Sequence, residues 1–158
     1  VKTNAVRIVA AQKIPYALME YDAPDGFLDG VSVAQVTGIS PERVFKTLVL
    51  RDTAKKGYYV CVIPVAEELD LKKAARFFNV KKIEMIPSKE ITDITGYIKG
   101  GCSPVGMKKQ YPTAIDSSAE EQKRIFVSAG KVGLQMELPV DSLLKITDGK
   151  LFDLVLVK

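Results

Sequence analysis

Histidine is absent from this chain, and cysteine occurs only twice, at Cys61 and Cys102. Without histidine the protein lacks the usual proton shuttle near neutral pH, which excludes a Ser-His-Asp or Cys-His site. Zinc loses its commonest nitrogen ligand, and two cysteines cannot complete a structural zinc site. We therefore expect neither a metal nor a cofactor. Any catalysis would have to use lysine, a carboxylate, backbone amides or groups of the substrate itself.

Long hydrophobic runs are also missing. No apolar segment approaches the roughly 20 residues that cross a bilayer. The N-terminal segment VKTNAVRIVAAQK lacks the hydrophobic region and the cleavage site of a signal peptide. We expect a cytoplasmic protein with no membrane partner. The net charge of +4 permits a polyanionic partner without requiring one.

Strand and helix patterns mix along the 158 residues without a regular βαβ repeat. The runs VFKTLVLRD and YYVCVIP predict a hairpin, joined through TAKKG. Asp70 is placed to cap LKKAARFF, the clearest amphipathic helix, and Ser32 and Ser88 are placed to cap two more. These patterns favour one α/β domain over residues 1–158, with a mixed, curled sheet and helices packed outside it.

The most unusual window is YIKGGCSPVGMKKQYP, residues 97–112. Gly101 and Gly106 have the spacing of a P-loop, but Met107 follows, Lys108 comes one place late, and no Ser or Thr follows that lysine to hold magnesium. Gly100 and Gly101 would still let the backbone approach a ligand and direct N–H groups at an anion or oxyanion. A purely structural connection between a helix and a strand is the alternative.

Lys46 is unusual because it precedes the apolar run Leu48–Leu50, and burying an unpaired ammonium is costly. Its head either reaches solvent or faces a site with negative charge, and both interpretations stay open. Ser103 and Cys102 have no histidine to activate them. A Ser–Lys pair with Lys46 is conceivable, but we favour a turn hydroxyl and a packing residue. Asp116 fits a general base or a turn residue equally well.

Five segments in this order resemble the YbaK family of aminoacyl-tRNA deacylases, the bacterial Cys-tRNA(Pro) deacylases. They are VFKTLVL at 44–50, PVAEELDLKKAA at 64–75, KKIEMIP at 81–87, TGYIKGGCSPVGMKK at 95–109 and FVSAGKVGLQMEL at 126–138. The resemblance implies one α/β domain with a mixed, barrel-like sheet surrounded by helices. It also implies trans-editing, the removal of cysteine wrongly attached to proline tRNA.

The resemblance assigns roles residue by residue. Lys46 matches the essential lysine, which would hold the terminal adenosine or the developing negative charge, and Gly101 matches the glycine whose backbone contacts the scissile ester. Tyr21 and Phe27 match pocket aromatics, and Ser128 matches a residue near the substrate side chain. The other positions placed at the substrate are Thr47, Gly100, Ser103, Gly130 and Gln135. Gln135 stands where some members carry an aspartate, which bears on any role that needs a carboxylate.

The family mechanism would explain the missing histidine. The cysteine thiol of the substrate attacks its own ester carbonyl, which gives a thiolactone and free tRNA, so the protein needs only to position the ester and stabilise the oxyanion. The implied partners are the cysteine-charged 3′ end of tRNA(Pro) and prolyl-tRNA synthetase. The alternatives are deacylation of Ala- or Ser-charged tRNA, a non-catalytic tRNA- or nucleotide-binding module, and a Ser–Lys hydrolase of small esters.

Overall fold

The computed structural model describes residues 3–24, 26, 28–54 and 56–158. The helices are α1 (Asn4–Ala11), α2 (Gly30–Thr37), α3 (Leu71–Phe78), α4 (Ile91–Thr95), α5 (Ala119–Gln122) and α6 (Val140–Thr147). The strands are β1 (Ala17–Glu20), β2 (Phe45–Asp52), β3 (Tyr58–Pro64), β4 (Ile83–Met85), β5 (Thr113–Asp116), β6 (Arg124–Lys131), β7 (Leu134–Pro139) and β8 (Lys150–Phe152). Short 3₁₀ turns lie at Pro41–Arg43 and Ser88–Glu90. No helix in these described ranges combines the length and apolarity of a bilayer crossing.

The strands form two sheets. One is antiparallel with the order β1-β7-β6, and the other is mixed with the order β4-β2-β3-β5-β8, in which β5 runs parallel to β3 and β8. An isolated parallel bridge between Val44 and Phe126 links the two sheets. The expected α/β fold with mixed pairing is confirmed. The described strands form two linked sheets, however, rather than one closed barrel, because β2 meets β6 only at its start.

The sequence patterns of β2 and β3 follow from their positions. Strand β3 lies between β2 and β5, and its residues Val60–Pro64 are all buried. A central strand covered on both faces reads as a continuous apolar run, as YYVCVIP does. The predicted β2–β3 hairpin is confirmed, with Lys46 opposite Ile63 and Leu50 opposite Tyr59.

The main core fills the space between the two sheets and the helices α1 and α6. Its largest fully buried side chains include Ile115, Ile125, Met136, Leu138 and Leu143. Each such side chain stabilises the fold by roughly 1.5–3 kcal/mol relative to an exposed position. A smaller cluster packs α3 against the opposite face of β2 and β3.

Helix ends mostly follow the sequence signals. Asp70 Oδ1 accepts hydrogen bonds from the N–H groups of Lys72 and Lys73, so the predicted cap of α3 is confirmed. Helix α2 begins three residues earlier than a cap at Ser32 would place it, because Asp29 caps it by accepting from the Ser32 N–H at 2.9 Å. The helix predicted after Ser88 is instead a 3₁₀ turn followed by the short α4.

Strand β2 changes neighbours along its length, and this change positions the site. At its start, Val44 bridges to Phe126. At its end, Leu50–Asp52 pair with β4. Between these points, residues 45–48 have β3 on one side, and on the other side none of the described strands pairs with them.

Candidate functional site

A pocket of about 400 Å³ opens beside this unpaired part of β2. Its walls come from β2, the N-terminus of α2, the glycine-rich loop after α4 and the hairpin of β6 and β7. The predicted site residues that line it together are Tyr21, Lys46, Thr47, Gly100, Ser128 and Gln135. These residues are far apart in sequence, and the fold brings them to one cavity.

Lys46 lies in the pocket wall, and its side chain is partly buried. Burial lowers the pKa of its ammonium below the usual range, while the nearby carboxylates of Glu68 and Glu67 act in the opposite direction. An ammonium that is partly removed from water binds an anionic group more strongly than an exposed one, because the local dielectric constant is lower. The position therefore suits a phosphate or a developing negative charge.

Two buried oxygens in the same pocket have no hydrogen-bond partner among the described residues. They are Thr47 Oγ1 and Gln135 Oε1, and the Gln135 residue is only 6% exposed. Leaving such an atom unsatisfied costs about 1–3 kcal/mol. Because native folds rarely accept this cost without a reason, the two oxygens indicate a wall that is built to bind a polar ligand.

Ser128 and Gln135 are direct partners in the β6–β7 register, so their side chains project from the same face of the hairpin. Ser128 Oγ accepts from the Gly130 N–H at 3.2 Å. This contact leaves the hydroxyl proton of Ser128 available to a ligand. The hairpin thus offers neutral polar groups at the pocket wall, whereas β2 offers a cation.

The two adjacent glycines have different positions, since Gly100 lines the pocket and Gly101 packs inside the protein. Gly100 lines the pocket with φ of 84°, a conformation that favours glycine. Gly101 is buried, and its N–H donates to the Ile98 carbonyl at 2.9 Å. A Cβ at Gly101 would lie 2.8 Å from the Lys131 Cα, so glycine is needed there for close packing on the β6–β7 turn. The oxyanion role of Gly101 stays a prediction, and its amide already has a partner.

Two more of the predicted site residues, Ser103 and Gly130, do not line this pocket. Ser103 is fully buried, and its Oγ accepts from the Val105 N–H at 3.2 Å, which makes it a turn hydroxyl behind the pocket. Gly130, with φ of 106°, packs against Tyr97 and Thr3 rather than lining the cavity. Phe27 lies outside the described residues.

Cys102 and Asp116 can now be placed. Cys102 lines the pocket, and burial raises the pKa of its thiol to about 11, so it is protonated and a poor nucleophile at neutral pH. Asp116 Oδ1 accepts from the Leu154 N–H at 2.9 Å, and its Oδ2 accepts from the Ser118 hydroxyl at 2.6 Å. Its carboxylate therefore organises a turn and is not part of the pocket.

Sequence reasoning missed the contribution of α2. Asp29, Gly30 and Val31 at the start of this helix line the pocket. A Cβ at Gly30 would lie 2.5 Å from Val65 Cγ1, so glycine lets α2 approach the sheet closely. In the sequence, Asp29-Gly30 is a dipeptide typical of turns, although an aspartate before a helical stretch is also a capping signal.

Comparisons with known proteins agree with this geometry. Residues 29–146 match the family model of the aminoacyl-tRNA editing domain. The Enterococcus faecalis protein EbsC is named as a candidate Cys-tRNA(Pro)/Cys-tRNA(Cys) deacylase. It is 47% identical over 149 residues, which cover 94% of this chain and 90% of that protein.

Two further proteins are more distant. The proline–tRNA ligase of Burkholderia ambifaria is 26% identical over 132 residues, which cover 82% of this chain but only 23% of the ligase. A crystal structure described as a candidate trans-editing enzyme for prolyl-tRNA synthetase superposes with a TM-score of 0.82 at 22% identity, covering 99% of both chains. At that identity the superposition supports the fold alone.

Proposed function

Because the chain belongs to the family of aminoacyl-tRNA editing domains, we propose that it is a trans-editing deacylase that removes cysteine from Cys-tRNA(Pro). The name of the relative that is 47% identical supports this substrate. The observation that carries the proposal is the pocket itself, a cavity of about 400 Å³ whose wall includes the partly buried Lys46 and the two residues with unsatisfied oxygens, Thr47 and Gln135. That volume is within the range of small-ligand sites.

In the proposed reaction the substrate supplies the nucleophile. The cysteine sulfur attacks its own ester carbonyl carbon, a C–S bond forms, and the carbonyl oxygen becomes an oxyanion. When the carbonyl re-forms, the C–O bond to the ribose breaks and the proton given up by the thiol ends on the ribose oxygen. The products are a cyclic thiolactone and free tRNA, and water then opens the thiolactone to cysteine.

The protein contributes position and charge. Lys46 stabilises the negative charge of the phosphate on the terminal adenosine or that of the oxyanion. Ser128 and Gln135 contact the aminoacyl group. Holding the thiol against the carbonyl removes entropy from the barrier, and a fixed cation in a partly dry pocket stabilises the oxyanion better than water does. The same chemistry would give selectivity, because an alanyl ester has no thiol.

We also propose prolyl-tRNA synthetase as a partner. The net charge of +4 is modest for a protein that must hold tRNA by phosphate contacts alone. A related segment occurs inside the proline–tRNA ligase of Burkholderia ambifaria, and this similarity supports the proposed partner. Addition of the synthetase should therefore increase the deacylation rate at limiting tRNA.

The test is a panel of tRNA(Pro) charged with Cys, Ala, Ser or S-methylcysteine. We expect rapid release from the Cys ester and slow release from the other three, because only free cysteine offers the thiol. Equal release from the Cys and Ala esters would contradict the thiol mechanism. If the protein binds the tRNA but releases no amino acid from any ester, the result would favour a non-catalytic binding module over an enzyme.

A further inference from the structure

The main chain of β2 carries hydrogen-bonding groups that the protein itself does not use. Val44 O accepts from the Val65 N–H at 2.9 Å, and the Asp52 N–H donates to Gly57 O at 2.9 Å. In an antiparallel ladder the hydrogen-bonded positions alternate. The even-numbered residues of β2 therefore bond to β3, and the odd-numbered residues present their N–H and C=O groups to the opposite side.

On that opposite side, the residues that pair with β2 do not extend to Thr47. Val49 O accepts from the Ile86 N–H at 3.1 Å, and Val44 bridges to Phe126. Between them no strand pairs with β2, and no described loop residue bonds to the main chain of Thr47. The N–H and C=O of Thr47 are thus without a partner in the described structure.

These two groups face the pocket. Consecutive side chains of a strand project from opposite faces, yet Lys46 and Thr47 both line the cavity. The cavity therefore wraps around the edge of β2, where the peptide groups of Thr47 lie. An unpaired strand edge presents N–H and C=O groups that an added extended segment can pair with, so this open edge suits a ligand that completes the pairing. The nine-tenths-buried Gln135, whose Oε1 also lacks a partner, points to a ligand independently.

We propose that the aminoacyl ester binds to this edge as a one-residue strand, with its carbonyl oxygen accepting from the Thr47 N–H and its α-amino group donating to the Thr47 C=O. The proposal rests on the proposed deacylase function and adds a second oxyanion donor to it. An α-amino acid presents its donor and acceptor with the same spacing as a strand residue, so one residue pairs with one amino acid.

This arrangement divides recognition into two parts. The peptide groups of Thr47 bind the α-amino and carbonyl groups that every aminoacyl ester shares. Discrimination between amino acids is left to the side-chain wall and to the thiol. Because Thr47 N–H lies next in sequence to Lys46, a fixed dipole and a cation act on the same developing charge.

The test replaces Thr47 by its α-hydroxy acid analogue, which keeps the side chain and changes only the peptide N–H to an ester oxygen. We expect kcat for Cys-tRNA(Pro) to fall by about 10²–10³-fold, with KM changed much less. The matched control is the α-hydroxy analogue of Leu50, whose N–H lies in the β2–β3 ladder. It should lower the thermal midpoint and leave kcat unchanged.

The outcomes separate the two proposals. Wild-type protein that releases no amino acid from any charged tRNA overturns the proposed function. If the wild-type protein is active on Cys-tRNA(Pro) and the variant with a main-chain ester at Thr47 is equally active, this inference alone is overturned. A fall in kcat at Leu50 equal to that at Thr47 also overturns it.

A second measurement does not depend on folding of the substituted chain. Wild-type protein labelled with ¹⁵N-threonine is titrated with an amide-linked cysteinyl adenosine analogue, which cannot be cleaved at an ester. We expect the Thr47 amide proton to move downfield as the new hydrogen bond forms, while the Thr113 amide on β5 stays in place. A bound analogue that leaves the Thr47 resonance unmoved overturns the inference.

Discussion

Two regions of this molecule bury polar atoms, and they differ in whether those atoms have hydrogen-bond partners. At the end of β5, Asp116 is 3% exposed, and its oxygens accept from Leu154 and Ser118. In the pocket, Thr47 Oγ1 and Gln135 Oε1 are equally shielded and have no partner among the described residues. The first region uses its polar atoms to hold the fold, and the second leaves them without a partner from the described protein.

The comparison extends to charge. The pocket holds Lys46, whose lowered pKa shows that its surroundings disfavour the ammonium. Substitutions of Lys46 and Gln135 in the pocket should therefore reduce activity without loss of stability, and substitutions around Asp116 should do the reverse. Four variants test this contrast, beginning with the largest expected effect.

The Lys46→Met substitution should have the largest effect. We expect the deacylation rate to fall by about 10²–10³-fold, because a fixed charge next to the oxyanion is lost. The thermal midpoint should rise, since a partly buried ammonium is replaced by an apolar side chain of similar length. Single-turnover deacylation and thermal melting measure the two effects. Lys109→Met, at an exposed position outside the pocket, is the control, and a rate equal to wild type in Lys46→Met would contradict the assignment.

The Asp116→Ala substitution should show the opposite pattern. Loss of a buried carboxylate that accepts three hydrogen bonds should lower the free energy of unfolding by about 3 kcal/mol. The rate per folded molecule should stay at the wild-type value, because the carboxylate is not in the pocket. Urea unfolding checks the first statement, with the exposed Glu120→Ala as control. A large fall in the rate constant of folded Asp116→Ala would contradict the statement that this carboxylate serves the fold and not the pocket.

The Gln135→Met substitution should have a moderate effect. Removing a buried oxygen without a partner should raise the free energy of unfolding by about 1 kcal/mol, while KM for Cys-tRNA(Pro) increases because the polar wall is lost. Gln35→Met on the exposed side of α2 should change neither quantity. If Gln135→Met destabilises the protein, then Oε1 is satisfied in solution and the pocket is less open to ligands than its geometry indicates.

The Cys102→Ala substitution should have the smallest effect. With its pKa raised to about 11, the thiol is neutral at working pH, so turnover should remain within about twofold of wild type. Its folded pKa lies above the ordinary thiol value of 9.0. The folded state therefore holds its proton more tightly, and stability falls as pH rises from 9 to about 11.

That pH dependence provides the measurement. Cys102→Ala should lose less stability than wild type when unfolding is compared at pH 8.5 and 10.5, values chosen on both sides of the ordinary thiol pKa of 9.0. The control is Ser117→Ala, at an exposed position without a titrating group in this range. Loss of turnover in folded Cys102→Ala would point to a protein nucleophile.

Sequence alone predicted the elements whose local signals agree with their packing. The hairpin of β2 and β3 and the capped helix α3 are examples, because periodicity, β-branched residues and Asp70 all point to the same structure. Helix α5 and strand β8 were not predicted. They span only Ala119–Gln122 and Lys150–Phe152, which is too short for a periodic pattern to appear.

For the site, sequence similarity indicated which residues belong to one cavity, but not which groups are free. Ser103 and Gly101 lie in the same short window as Gly100, yet one is a turn hydroxyl and the other packs on the β6–β7 turn. The open edge at Thr47 depends on which strands flank β2. That pairing is set by long-range contacts, which no local pattern encodes.

The contact of Gly101 with the β6–β7 turn has a consequence for how substrate range can change. The loop that carries Gly100 rests on the same hairpin that carries Ser128 and Gln135. The cavity therefore cannot be widened by moving the loop of Gly100 without also displacing the β6–β7 hairpin. We expect homologues that accept bulkier amino acids to trim side chains at these two hairpin positions rather than to lengthen the loop.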